Sequence, residues 1–164
     1  MSTSTVPSEY RVEKRRADAI VTLSSGQSER GCFFLASSST RHDGPERVAD
    51  LLNSEHGFFP FEIHDADGVR TALYHRSHVV TVALAEDEAS RDPGYGVARR
   101  RFASVLLSNG QRVVGTVRVY RPEGRDRLSD WTRQPETFRY IETGDATIVV
   151  NLAHIVEVSE VPER

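Results

Sequence analysis

Short runs of apolar residues, alternating or continuous, fill most of this chain, and turn residues separate them. Five such runs, 19–23, 29–36, 58–64, 69–74 and 79–84, read as strands. A second set reads the same way, at 102–107, 112–120, 138–142, 147–151 and 155–158. Between the second and third runs of each set, apolar residues recur at helical spacing instead. Val48, Leu51 and Leu52 predict a short helix over 46–52, and Leu128 and Trp131 predict another over 127–133. Ser25-Gly26, Asn109-Gly110, Asp67-Gly68 and Gly144-Asp145 supply hairpin turns, because glycine and asparagine accept positive φ at low cost.

The two sets share residues as well as pattern. Leu23-Ser24-Ser25-Gly26-Gln27 matches Leu107-Ser108-Asn109-Gly110-Gln111, with Gly31 and Gly115 in the same register. Arg47-Val48-Ala49-Asp50-Leu51 matches Arg127-Leu128-Ser129-Asp130-Trp131, and Phe58 follows as Phe138 does. His78-Val79-Val80-Thr81-Val82 matches His154-Ile155-Val156-Glu157-Val158. Three blocks in one order predict an internal duplication. Hairpin, helical insert, hairpin and last strand in about 65 residues fit a small barrel. The expected fold is therefore all-β, with two tandem Sm-like or SH3-like barrels, each carrying one short helical insert. The expected boundaries are a disordered tail over 1–14, barrels over 15–84 and 99–160, and a linker over 85–98, rich in acids, Gly and Pro.

The second set carries a family resemblance. Leu107-Ser-Asn-Gly110-Gln-Arg-Val113-Val-Gly115-Thr-Val117 resembles the first two strands of Sm-like and bacterial Hfq-type barrels, and Val149 to Val158 resembles their last two. Arg127-Leu128-Ser129-Asp130 and the ending Asn151 to Val158 are also similar to small bacterial barrel domains that carry an RLSD segment and a VN-A-HIV-V ending. The resemblance implies a small barrel, and in the Sm-like families RNA binding and edge-paired rings. The RNA-contacting residues do not carry over. The insert after Tyr120 replaces the polar loop, and His154 is preceded by Leu152 and Ala153 rather than by the family's Tyr-Lys. Fold alone does not fix function.

Composition narrows the classes. The 164 residues are 38% hydrophobic and 27% charged, an ordinary globular mixture. With 21 basic and 24 acidic residues the net charge is −3, which excludes a strongly basic nucleic-acid coat. All but one of the basic residues, Lys14, are arginine. A single cysteine, Cys32, excludes a disulfide framework and a zinc site built of cysteines, and its apolar neighbours suggest an inert core thiol. No apolar run approaches the roughly 20 residues of a membrane span, and the opening MSTSTVPSEY lacks a signal-peptide core. A cytoplasmic protein is expected.

Candidate chemistry is sparse. Hydrolase, phosphate-loop and metalloprotease motifs are absent, so no enzyme, no cofactor and no metal is expected. His64, His75 and His78 with Asp65 and Asp67 are dense, yet strand geometry turns 75 and 78 to opposite faces. His78 and His154 share a slot in the two sets and read as turn caps. Arg11-x-x-x-Arg15 followed by Gly26-x-Ser28-x-x-Gly31 is similar to the cyclic-di-GMP motif of PilZ domains, without its acid or amide. The basic clusters Arg15-Arg16 and Arg99-Arg100-Arg101 precede each barrel and are candidates for phosphate or nucleic acid. Trp131, Phe59, Asp130 and Asp50 are candidates for partner contact, with core packing the plainer reading of Trp131. The expected function is a non-catalytic interaction or adaptor module binding a protein partner through sheet edges and insert helices. The alternative is an RNA- or nucleotide-binding barrel using the basic clusters. Homo-oligomers through barrel edges are a further expectation.

Overall fold

The structure, a computed structural model, describes residues 14–37 and 44–162. The expected N-terminal tail lies outside these residues apart from Lys14, which opens the first strand. Ten strands dominate: β1 Lys14–Leu23, β2 Ser28–Ala36, β3 Phe58–Asp65, β4 Gly68–His75, β5 Val79–Leu84, β6 Arg99–Leu107, β7 Arg112–Val119, β8 Phe138–Glu142, β9 Thr147–Asn151 and β10 Ile155–Glu160. Two short helices interrupt them, α1 Val48–Ser54 and α2 Leu128–Thr132. Helix α1 starts two residues later than its periodicity predicts. Glu46 is committed to the end of β2, its backbone N–H donating to the Ala36 carbonyl at 3.1 Å and its carboxylate accepting from Ala36 N–H at 3.0 Å. Arg47 then becomes the cap, and its N–H donates to Asp50 Oδ2 at 2.9 Å. Arg127 N–H donates to Asp130 at the same distance in α2. Among the described residues no helix is long and apolar enough to cross a membrane.

The all-β character holds, and the ten strands form one continuous antiparallel sheet. Its order is β10-β6-β7-β8-β9-β5-β1-β2-β3-β4, and it is not closed: β10 and β4 each have one neighbour. The order splits into two equal runs. Strands β5-β1-β2-β3-β4 repeat as β10-β6-β7-β8-β9. The correspondence extends to single bonds. Ser24 N–H donates to the His78 carbonyl and Ser108 N–H to that of His154, both at 2.8 Å. The register slips at one place in each half, beside Val80 and beside Val156. Gly31 and Gly115 lie where β3 and β8 cross so close that a Cβ would overlap the carbonyl oxygens of Glu62 and Glu142.

The two halves meet where β5 pairs with β9, with Thr81 opposite Val150, Val82 opposite Val149, Ala83 opposite Ile148 and Leu84 opposite Thr147. Two apolar clusters flank this joint. The first holds Phe33, Leu35, Phe59, Phe61 and Ile63, together with Phe138 and Val149 from the second half. The other holds Val105, Val117, Trp131 and Ile141, together with Val80 from the first half. Each core is thus completed by residues of the other half. The segment 85–98, linker-like in composition, is mostly exposed but turns Glu88 and Ala89 inward. Glu88 is buried and accepts the N–H groups of Val48 and Ala49 at 2.9 and 3.1 Å and the Tyr140 hydroxyl at 2.9 Å.

Candidate functional site

The joint shows what this sheet does when two of its edges meet, and so serves as a template for the two edges left open. Side chains reinforce the strand pairing there. Buried Asn151 donates to the carbonyls of Val79 at 2.9 Å and Arg76 at 3.4 Å. His154 Nε2 lies 2.6 Å from the Ser77 carbonyl oxygen, which assigns that nitrogen the donor hydrogen. Asn53, at the end of α1, exchanges two hydrogen bonds of 2.9 Å with the backbone of Phe138, as a strand partner would.

Strand β4 corresponds to β9 and β10 to β5, so the open edges carry the same two surfaces as the joint. The pairs of β3 with β4 and β8 with β9 fix the match: Phe58 lies opposite His75, and Phe138 opposite Asn151. Both His75 and Asn151 cap the following 3-10 turn, accepting from Ser77 N–H and Ala153 N–H. On this match Leu73 corresponds to Val149, Phe58 to Phe138 and Val156 to Val80. The joint members are sealed, at 0%, 4% and 0% exposure, whereas their open-edge counterparts are 66%, 61% and 65% exposed. Solvating three large apolar side chains in positions built for burial is the strongest surface anomaly of the described residues.

A second feature is a cleft of about 610 Å³ between α1 and α2, floored by β8. Its charges are mostly neutralised in place. Arg47 binds Asp50 at 3.1 Å and also Asp92, and Arg118 binds Glu142 at 2.8 Å. Burial raises the Tyr140 hydroxyl strongly, with the Glu88 charge adding to it, and burial followed by Asp92 does the same for Tyr120. Buried Arg139 stacks on Trp131 at 5.4 Å and donates to the Glu136 carbonyl at 2.7 Å and to that of Gln134. Burial pulls its guanidinium down to about 10.

A third feature is on the outer face of β2 and β3. Cys32 Sγ lies 3.7 Å from Glu62 Oε1 and 4.0 Å from His64 Nε2, and the last two are 2.9 Å apart. The hydrogen bond to His64, and Arg16 beyond it, hold the Glu62 carboxyl below its usual range. Burial, then the Glu62 charge, push the Cys32 thiol up.

The sequence-derived candidates are dispersed among these features. Trp131 and Phe59 are core residues, each 1% exposed, so neither offers a surface to a partner; Phe58 is the aromatic on the outside. Asp50 and Asp130 lie in the first turns of the helices and accept the N–H groups of the caps Arg47 and Arg127. The basic clusters are largely engaged. Arg15 donates to the Glu46 carbonyl, Arg16 faces Glu62 at 3.5 Å, Arg99 faces Asp126 at 4.0 Å, and Arg101 faces Asp126 and Glu160. Arg100 is exposed. The two histidines read as turn caps occupy matching bonds, with His78 Nδ1 2.9 Å from Ser24 Oγ and His154 Nδ1 2.7 Å from Ser108 Oγ. Of the dense His and Asp group, His64 joins Cys32 and Glu62, while His75 and His78 do not face opposite ways as a strand would place them: a 3-10 turn over 76–78 brings their rings to 5.9 Å. Arg11, of the PilZ-like spacing, lies outside the described residues. Leu73, Val156, Asn53 and Glu88 were not singled out from the sequence. The repeat alignment holds the signal for the first two, since it places Val156 against Val80.

Comparison with protein-family models, with curated proteins and with solved structures finds no match to this chain.

Proposed function

We propose that this chain is a non-catalytic interaction module, made of two small barrel-like units, that associates through its sheet edges, and that the partner it takes is a second copy of itself. One observation carries the reading: the β5–β9 joint is repeated, unfilled, by β10 at one end and β4 at the other. Transferring the joint register puts Glu157 opposite Tyr74, Val158 opposite Leu73, Ser159 opposite Ala72 and Glu160 opposite Thr71 of the next chain. Leu73 and Phe58 then enter the second-half core of one neighbour, and Val156 enters the first-half core of the other. Such a contact is heterologous, so it propagates into a ring or a filament rather than stopping at a dimer. Burying one Leu side chain is worth about 1.5–3 kcal/mol, which makes these residues the drivers of the contact.

Sedimentation of three proteins tests this. The wild-type chain should show concentration-dependent association beyond a dimer. Leu73→Asp and Val156→Asp should each remove it, because each destroys one edge. An equimolar mixture of the two should form a one-to-one pair, since each variant keeps the edge the other lacks. A wild-type chain that stays monomeric at every concentration, or variants that fail to complement, would refute the reading. The RNA or nucleotide alternative rests on the arginine clusters and draws less support, as four of those five arginines already have acidic or carbonyl partners.

A further inference from the structure

The Cys32, Glu62 and His64 side chains converge from rigid strands. Cys32 and Glu62 are direct partners across β2 and β3, and His64 lies two residues beyond Glu62 on the same face. Their three ligand atoms, Sγ, Oε1 and Nε2, are 2.9 to 4.0 Å apart. A tetrahedral zinc with bonds of about 2.0 to 2.3 Å requires donor separations of roughly 3.3 to 3.8 Å. The three atoms thus need shifts of only a few tenths of an ångström to share one ion. Glu62 divides its oxygens: Oε1 faces the cysteine and histidine, while Oε2 faces Arg16 at 3.5 Å. Arg16 is largely exposed and pairs with the oxygen that the cluster does not use, so it can stay in place.

We propose that Cys32, Glu62 and His64 form a binding site for one zinc-class divalent cation, with solvent as the remaining ligand. Thiolate, imidazole and carboxylate together select a borderline metal such as Zn²⁺ over Mg²⁺ or Ca²⁺, which take oxygen ligands. Binding replaces the thiol hydrogen: the S–H proton leaves to solvent and the sulfur lone pair goes to the metal. The thiol is buried, but His64 is partly exposed and gives the ion a way in. The corresponding residues of the second half are Thr116, Glu142 and Gly144, which lack the sulfur and the imidazole, so one ion binds per chain. The edge pairing proposed above neither needs this site nor supplies any of its ligands.

Cobalt(II) is the probe, because its bonds to sulfur absorb in the near ultraviolet and its four-coordinate form absorbs in the visible. Titration of the full chain should give both absorptions, saturating at one equivalent and abolished by added Zn²⁺. Cys32→Ser should remove the sulfur absorption, and His64→Ala should weaken binding at least tenfold. His75→Ala, outside the cluster, should leave both unchanged. Zinc should also raise the melting temperature of the wild type but not of Cys32→Ser. Absence of the sulfur absorption, its persistence in Cys32→Ser, or full affinity in His64→Ala would each overturn the assignment. His64→Ala changes a partly exposed side chain, so it remains decisive if Cys32→Ser folds poorly.

Discussion

The joint between β5 and β9 and the pair of open edges, β4 and β10, are built from corresponding strands but differ in how they are completed. At the joint Val80, Phe138 and Val149 are sealed, and Asn53, Asn151 and His154 tie the two halves by hydrogen bonds. At the edges the apolar positions are kept as Val156, Phe58 and Leu73, while two of the three polar ties have changed. Arg133 stands where Asn53 does in the insert, and Glu157 stands where Thr81 does in the strand. His75 stands where Asn151 does, but His78 keeps the place of His154, so the apolar positions are retained on both and the polar ties only in part. On the pairing proposed above, that is the pattern of a fixed contact beside a weaker one, since fewer satisfied hydrogen bonds hold the second.

The largest effect should separate matched positions. Val149→Asp puts a charge into a closed core and should cost about 3 kcal/mol or more in denaturant unfolding. Leu73→Asp, at the corresponding exposed place, should change monomer stability by less than about 0.5 kcal/mol while abolishing association. Equal costs at the two positions would break the comparison. Next in size is Glu88→Ala, which leaves the first N–H groups of α1 and the Tyr140 hydroxyl without their acceptor; a loss of about 2 kcal/mol is expected.

The same residue predicts a pH dependence. Burial raises the Glu88 carboxyl above the ordinary glutamate value of 4.5, although the bonds from Val48 and Ala49 oppose this. The folded chain therefore holds a proton there that the unfolded chain releases. Its stabilising share is full below the ordinary value and fades as pH rises through the raised one. Wild type should lose stability relative to Glu88→Gln over that interval, read as the difference of their urea midpoints. A constant difference would refute it. Smaller still, Asn53→Ala should cost about 1 kcal/mol, seen as a lower melting temperature. The gentlest change is Glu157→Thr, which installs the joint residue at the open edge. It should tighten self-association severalfold in sedimentation without altering monomer stability.

The strands were legible because alternation and Asn-Gly or Asp-Gly turns are local signals, and nine of the ten expected runs overlap the observed strands closely; β1 extends five residues earlier than 19–23. Both helices were legible from spacing. The connection of the halves was not, because pairing β5 with β9 is a long-range choice that no local pattern carries. The inward turn of Glu88 within 85–98 was hidden for a similar reason: in sequence it is one acid among several, and only the fold brings it onto α1. For the candidate sites, the core reading of Trp131 agrees with its burial, whereas nothing local marked Phe59 rather than Phe58 as the buried member of its aromatic run. Cys32, Glu62 and His64 were scattered in sequence until two strands came into register.

That β5 and β9 belong to one chain has a consequence for assembly. Their pairing is intramolecular, which gives those strands an effective concentration on the order of millimolar before any contact energy is counted. An edge meeting between separate chains has no such tether and must rely on bulk concentration. Cellular abundance would therefore set whether the ends find one another, while the middle stays permanently shut.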